Sequence, residues 1–279
     1  MNAMQPSRPQ LILASIGALF FITLILGEYT IAKRKNLLEK IYKSSDTLAN
    51  LWILIIRIAI NSLVAGGILA AIFNTIYKYN LHLTDRLNTL IYWTILIIGE
   101  DFCYYWFHRY SHEIRWGWAS HIVHHSSNYL NYTTAIRESI TYVLSGVFVF
   151  WLPLVFIGYK PTDVLIAIAI GLVYQFYLHT TLIAKLGFVI EYVFNTPSHH
   201  RVHHARNPQY INQNYAAIFI IWDRLFGTFT EEQETPDYGL VHQVYNYNPI
   251  YILFQGWYDM LALVIRRRNL RYLLFFPKN

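Results

Sequence analysis

Ten of the twelve histidines in this chain lie between positions 108 and 204, and eight of them form three boxes. Residues three or four positions apart share one face of a helix, so each box directs its imidazoles the same way. Imidazole binds iron, zinc and copper well. One zinc ion takes about four protein ligands or fewer, so this number of histidines predicts more than one metal ion. The boxes are His108 and His112; His121, His124 and His125; and His200, His203 and His204.

Four histidines lie outside the boxes. His179 follows an apolar segment and is predicted to be a ninth ligand; Gln175, one turn earlier, is a weak ligand or a hydrogen-bond partner. His199 points to a different face from its neighbour in the third box, which favours a role beside the ligands. His82 and His242 are isolated and are predicted to be structural.

Four carboxylates near the boxes leave alternatives open. Asp101 is seven residues before His108 on the same helical face, where it either orients that imidazole through its far nitrogen or is an ordinary helix charge. Glu113 and Glu138 either support the site or bind a cofactor, unless they are plain surface groups. Asp223 is predicted to form a structural ion pair.

The composition is typical of a membrane protein with a single embedded domain over residues 1–279. Only 14% of the residues are charged and 55% are hydrophobic, whereas soluble domains have about 25% charged residues. Crossing a bilayer takes roughly 20 apolar residues. The single cysteine, Cys103, excludes a disulfide within the chain. Five stretches are predicted to span the membrane: 10–32, 58–77, 90–107, 140–158 and 164–182.

The predicted fold class is therefore all-α, a multi-pass membrane bundle of about five helices with a histidine-rich helical cap. Lysine and arginine cluster at 33–43, around the boxes and at 266–278, which places the cap in the cytoplasm. Residues 250–276 are short for another span and are predicted to form an interfacial helix. The same basic bias explains the net charge of +6 without a nucleic acid partner.

Longer motifs surround the boxes and point to a family. They are DFCYYWFHRYSH at 101–112, HIVHH at 121–125, NTPSHHRVHH at 195–204 and WDRLFGTF at 222–229. Together they resemble the fatty acid hydroxylase / sterol desaturase superfamily over residues 90–230. The runs VHHSS at 123–127 and AIRES at 135–139 make the chain most similar to the alkylglycerol monooxygenase branch.

This resemblance implies a membrane di-iron oxygenase, with zinc able to replace iron on purification. It also implies that Glu113, directly after the first box, matters for activity, and that tetrahydrobiopterin or another external reductant donates electrons. The loop YINQNYAA at 210–217 departs from relatives at Asn212 and Ala216. The departure affects what the resemblance implies about substrate or cofactor contacts near this loop, and it leaves the implied metal ligands unchanged. By resemblance, one ion takes His112, His121, His124 and His179, and the other takes His108, His125, His200, His203 and His204.

The expected reaction uses O₂ to hydroxylate a C–H bond of a lipid. If that carbon adjoins an ether oxygen, the hemiacetal product collapses to an aldehyde and an alcohol, so an alkyl ether lipid is cleaved. No G-x-G-x-x-G fingerprint is present, so a separate reductant is expected. The alternatives are a sterol or fatty acyl desaturase or hydroxylase of the same superfamily and, less favoured by the ligand count, a membrane zinc hydrolase. A metal transporter is also less favoured, because it would place ionisable groups in mid-membrane, whereas these histidines cluster at one predicted cytoplasmic face.

Overall fold

The protein folds from α-helices joined by turns and loops, which confirms the all-α prediction. The structure, a computed structural model, describes residues 8–61, 64, 66–243 and 245–277. Within these ranges the only β-pairing is an isolated antiparallel bridge between Ala205 and Tyr238. The helices are α1 (Arg8–Arg34), α2 (Leu38–Ile41), α3 (Ser44–Ile60), α4 (Gly66–Tyr77), α5 (Thr89–Glu113), α6 (Arg115–His125), α7 (Tyr132–Ala135), α8 (Leu152–Ile157), α9 (Pro161–Leu178), α10 (Phe188–Val193), α11 (Pro197–His203), α12 (Ile221–Phe226) and α13 (Pro249–Arg267).

Three long helices cover predicted spans. Helix α1 covers residues 10–32, and α5 runs without a break from the apolar segment into the first histidine box. Helix α9 starts at Pro161, whose missing N–H costs nothing in a first turn, and ends just before His179. Among the described residues, only Pro161–Leu178 is both long and apolar enough to cross a membrane on length and composition.

Two of the predicted spans are not single helices. The prediction of a helix over 140–158 was wrong: turns lead to Gly146, which adopts a left-handed φ of 75°, and only then follow a short 3₁₀ segment and α8. A helix cannot continue through that backbone conformation. The segment 58–77 falls on the end of α3 and on α4, and residues 62, 63 and 65 between them lie outside the described residues.

Helix α13 supports the helix that carries the second box. It packs along α6, and Gly256 lies against Ala119 and Ile122 of that helix. A Cβ atom at Gly256 would lie 2.6 Å from the carbonyl oxygen of Ala119, so only glycine lets the two backbones meet. Trp257 donates from its indole nitrogen to Thr141 Oγ1 at 2.9 Å. This hydrogen bond also ties α13 to the segment 140–158.

A buried guanidinium joins α3 to α6. Arg137 is only 1% exposed. Its Nη1 lies 3.1 Å from Asp46 Oδ1 and also donates to Asn50 Oδ1, while its Nη2 donates to Ser126 Oγ at 2.8 Å. A buried charge is tolerated only when it is paired and hydrogen-bonded, and these partners meet that condition. The network fixes the backbone of residue 137, whose carbonyl faces the second box.

Candidate metal centre

The structure brings all nine predicted ligands into one buried region, in two groups. Within each group, the nearest ligand atoms all lie within 4.8 Å of one another. The division of ligands implied by the resemblance was wrong, because neither observed group reproduces it. The first group is His108, His112, His121, His125 and His203, and the second is His124, His179, His200 and His204.

Main-chain carbonyl groups fix the orientation of several imidazoles. His108 Nδ1 donates to the carbonyl of Tyr215 at 2.7 Å, and His179 Nδ1 donates to the carbonyl of Gln175 at 2.8 Å. His203 Nδ1 does the same with Gln213. A carbonyl oxygen only accepts, so the proton of a neutral ring must lie on Nδ1. The Nε2 atom of each ring is then left with a bare lone pair.

The lone pair of His179 faces other imidazole nitrogens across very short distances. His179 Nε2 lies 3.0 Å from His124 Nε2 and 3.0 Å from His200 Nε2. His124 Nδ1 also faces an acceptor, the carbonyl of Arg137 at 3.2 Å. Two lone pairs at this separation repel unless a cation lies between them. The donor set therefore fits a metal ion, and the spacing agrees: nitrogens about 2.1 Å from one ion at right-angle to tetrahedral positions are about 3.0–3.4 Å apart.

The first group has the same short spacing between ring nitrogens. His121 Nε2 lies 3.0 Å from His108 Nε2 and 3.2 Å from His125 Nε2. The Nε2 atoms of His112 and His203 are buried and have no hydrogen-bond partner among the described residues. Buried polar atoms are rarely left without a partner. A metal ion would engage all five nitrogens.

Burial keeps these rings neutral, as metal ligands must be. Loss of solvation lowers the pKa of His203 to about 3. It also lowers the pKa values of His121, His125 and His200 well below the usual range, and the neighbouring imidazoles add to the effect. A neutral imidazole is the form that binds a metal, so protons do not compete for these sites near neutral pH.

Asp101 holds the loop that presents a carbonyl to the first box. Its carboxylate accepts hydrogen bonds from the main-chain nitrogens of Ile218 and Phe219 at 2.7 and 3.0 Å, and from the indole nitrogen of Trp222 at 2.9 Å. It makes no hydrogen bond with His108, so the interpretation that it orients this imidazole directly was wrong. Asp101 instead fixes the loop on which the His108 partner, Tyr215, lies.

Asp223 and Asn214 hold the same loop from the other side. Asp223 accepts from the main-chain nitrogens of Tyr215 and Ala216 at 2.7 and 2.8 Å and from Thr228 Oγ1 at 2.7 Å. The prediction of a structural ion pair at Asp223 was wrong, because its partners are main-chain amides and a hydroxyl. Asn214 adopts a left-handed φ of 57°, which asparagine tolerates better than most residues.

The remaining polar candidates lie around the imidazoles. Glu138 Oε1 is 3.2 Å from His124 Nδ1, so this carboxylate supports a ring of the second group. His199 belongs to neither group, and its Nε2 lies 2.9 Å from Glu191 Oε2. The side chain of Gln175 donates to the carbonyl of Gly171. The main-chain carbonyl of Gln175 accepts from the ring of His179.

Glu113 lies at the edge of the site. Its Oε1 accepts from Arg109 Nε at 2.9 Å and lies 3.5 Å from the Tyr215 hydroxyl. The ring of Tyr215 contacts His108, His112 and His203. Glu113 thus reaches the first group through Tyr215. Within the described residues, it makes no hydrogen bond to an imidazole of that group.

A cavity of about 620 Å³ opens onto the imidazoles of both groups. Its wall includes His112 and His204, together with His242, Gln255 and Asp259. Sequence reasoning treated His242 as isolated and did not consider the other two. The only signal for them was a polar pair, four residues apart, on the face of α13 that turns towards α6.

Comparison with known proteins agrees with this geometry. Residues 93–228 match the family model for fatty acid hydroxylase. This part of the chain is similar to the fatty acid hydroxylase family. No solved structure gives a significant match to the chain.

The curated relatives include several alkylglycerol monooxygenases. The chain is 49% identical to the Danio rerio protein over 152 residues, which are 54% of this chain and 33% of the relative. It is 44% identical to the Homo sapiens protein over 168 residues, which are 60% of this chain and 37% of the relative. An ornithine lipid hydroxylase of Rhizobium tropici is 32% identical over 135 residues, 48% of this chain and 40% of that relative. The aligned regions thus span well under half of each relative.

Metal stoichiometry tests the two groups. We expect His112→Ala and His179→Ala each to lower the bound metal by about one ion per protein, because each variant removes one ligand from a different group. His199→Ala is the control and should keep both ions, since His199 pairs with Glu191. Metal analysis of purified protein by mass spectrometry measures this. Complete loss in both ligand variants, or loss in the control, contradicts two separate groups.

Proposed function

We propose that this protein is a membrane-bound di-iron monooxygenase that hydroxylates a C–H bond of a lipid. The observation that carries the proposal is the pair of all-histidine groups in which imidazole Nε2 atoms face one another at about 3 Å. The family match and the alkylglycerol monooxygenase relatives support it. A zinc hydrolase needs three protein ligands and an open position, which nine imidazoles exceed.

Iron bound to these imidazoles would supply the activation of O₂, which no side chain can perform alone. Nitrogen donors suit iron, although they also suit zinc and copper. The balanced reaction consumes the C–H bond, O₂, two electrons and two protons, and it yields an alcohol and water. The chain itself orients the imidazoles through main-chain carbonyls and surrounds them with buried side chains that exclude water.

An alkyl ether lipid is the proposed substrate class. Hydroxylation of the carbon beside the ether oxygen gives a hemiacetal, which collapses to an aldehyde and an alcohol. Relatives named alkylglycerol monooxygenase support this choice, and the ornithine lipid hydroxylase supports plain hydroxylation of another lipid as the second candidate. Two electrons must come from a separate reductant, and tetrahydrobiopterin is the proposed donor.

We expect the metal centre to lie on the cytoplasmic side of a multi-pass, single-domain membrane protein. Helices α1, α5 and α9 supply crossing segments, and the positive charges beside the boxes favour the cytoplasm for the cap. A reporter fused after residue 277 should then be cytoplasmic, and one inserted near Asn80 should be on the far side. The reverse labelling would invert the proposed orientation.

Labelled oxygen tests the reaction. We expect iron-loaded protein with an alkylglycerol, tetrahydrobiopterin and ¹⁸O₂ to release a fatty aldehyde that carries one labelled oxygen. The aldehyde is reduced at once to an alcohol, because its carbonyl oxygen otherwise exchanges with water, and the label is measured by mass spectrometry. His203→Ala should abolish the product, because it removes a ligand of the first group. His82→Ala should retain activity, because His82 is exposed and pairs with Asp85 far from the centre. A rapidly reduced product without oxygen from ¹⁸O₂ would reject the proposal.

Glu113→Gln tests the carboxylate that reaches Tyr215. We propose that Glu113 acts through this tyrosine, so we expect kcat to fall about tenfold or more while the metal content stays at the wild-type value. Tyr215→Phe should reproduce the effect, since it removes the hydroxyl that Glu113 approaches. Steady-state kinetics and metal analysis measure the two quantities. Wild-type turnover in both variants would remove Glu113 from the mechanism.

A further inference from the structure

The cavity beside the metal centre contains an unpaired hydrogen-bond donor. Gln255 is 5% exposed, and its Nε2 has no hydrogen-bond partner among the described residues. Burying an amide nitrogen without a partner costs about 1–3 kcal/mol. The side chain lies on the cavity wall, on the same helix as Gly256, which packs against α6. A destabilising group retained at such a place is typical of a ligand-binding residue.

The charges on the cavity wall are already balanced. Arg115 donates to the main-chain carbonyls of Tyr272 and Asp259, and its charge faces the Asp259 carboxylate. Arg206 is paired with Asp237 at 2.7 Å. Neither guanidinium offers an unengaged fork for a phosphate, so the wall matches an uncharged ligand. The free amide donor matches a hydroxyl or ether oxygen on that ligand.

Helix α13 separates this cavity from an apolar outer surface. Its outward side chains are exposed at intervals of three or four residues, which makes one continuous apolar stripe. Exposed arginines follow directly at 266–268. A stripe of this kind beside basic residues fits the surface of an anionic membrane leaflet. The stripe comprises Ile250, Phe254, Tyr258, Leu261 and Ile265.

The cavity also reaches the imidazoles. His112 and His204 belong to different imidazole groups, and both lie on the wall. The same cavity is therefore lined by Gln255 and by imidazoles of both groups. A volume of about 620 Å³ falls within the range of about 300–1,000 Å³ found for sites that enclose small ligands.

We propose that the cavity binds the uncharged, hydroxyl-bearing head group of the lipid substrate, and that the side-chain amide of Gln255 turns towards this group and donates to one of its oxygens. This assignment rests on the proposed lipid oxygenase function. It places a determinant of substrate selection on α13, which lies outside the family-matched residues 93–228.

Direct binding tests the assignment without turnover. Zinc-loaded protein in nanodiscs, with no electron donor, is titrated with a 1-O-alkylglycerol and with the same lipid methylated on both head-group hydroxyls. We expect Gln255→Leu to weaken binding of the hydroxyl form about three- to tenfold, the effect of one neutral hydrogen bond. Binding of the methylated lipid should change much less. The ligand-free variant should unfold at the wild-type temperature or above, because an unpaired donor has been removed.

Gln209→Leu is the matched control, since Gln209 is exposed and donates to Glu234 away from the cavity. Equal affinity of Gln255→Leu and wild type for the hydroxyl form would overturn the assignment. So would weaker binding of tetrahydrobiopterin with lipid binding unchanged, which would make the cavity a reductant site. Lipid binding that depends on Gln255 without labelled-oxygen incorporation would instead reject the oxygenase function and leave the cavity assignment standing.

Discussion

The hydrogen bond from an imidazole Nδ1 to a main-chain carbonyl is the interaction on which this site depends. It fixes which ring nitrogen carries the proton, and it turns the other nitrogen, as a lone pair, towards its neighbours. His108 and His179 show this most clearly, because their acceptors are the carbonyls of Tyr215 and Gln175. Without a cation, the resulting lone pairs repel one another inside a region that excludes water. Metal binding and folding of this region should therefore be coupled. The ion offsets the repulsion between the lone pairs, which protons cannot do because burial keeps the rings neutral.

A carbonyl can orient a ligand only if its own loop is rigid, and this explains three buried polar residues that bind no imidazole. Asp101 and Asp223 each accept two main-chain amides from the loop 215–219, and Asn214 joins the start of that loop to residues 199 and 230. The cost of burying two carboxylates is offset by these hydrogen bonds. Burial raises the pKa of Asp223 to about 6. The motif WDRLFGTF is thus part of the metal site although none of its side chains contacts an imidazole ligand.

The sequence predicts well which nine imidazoles lie together, because helical spacing is local information. Boxes with i, i+3 and i+4 spacing show which imidazoles share a face, and the apolar runs predict α1, α5 and α9. Which imidazoles share an ion depends on how α5, α6, α9 and α11 cross, and spacing within one helix carries none of that geometry. The roles of Asp101 and Asp223 were misread for the same reason. The main-chain amides that Asp101 binds are more than a hundred residues away along the chain. Those that Asp223 binds lie in an irregular loop. The break at 140–158 follows from a left-handed Gly146, which hydrophobicity does not register.

The boxes alone do not select the reaction. Relatives that match this chain bear the names of an alkylglycerol monooxygenase, an ornithine lipid hydroxylase and a very-long-chain aldehyde decarbonylase. Selection must then come from the residues that hold a substrate at a fixed distance and angle from the imidazoles. In this chain, the cavity that reaches both imidazole groups is walled in part by α13, which follows the family-matched region. Helix α13 packs through Gly256 directly on the helix that bears His121, His124 and His125. A change in its inner face therefore alters the cavity and the support of these histidines together.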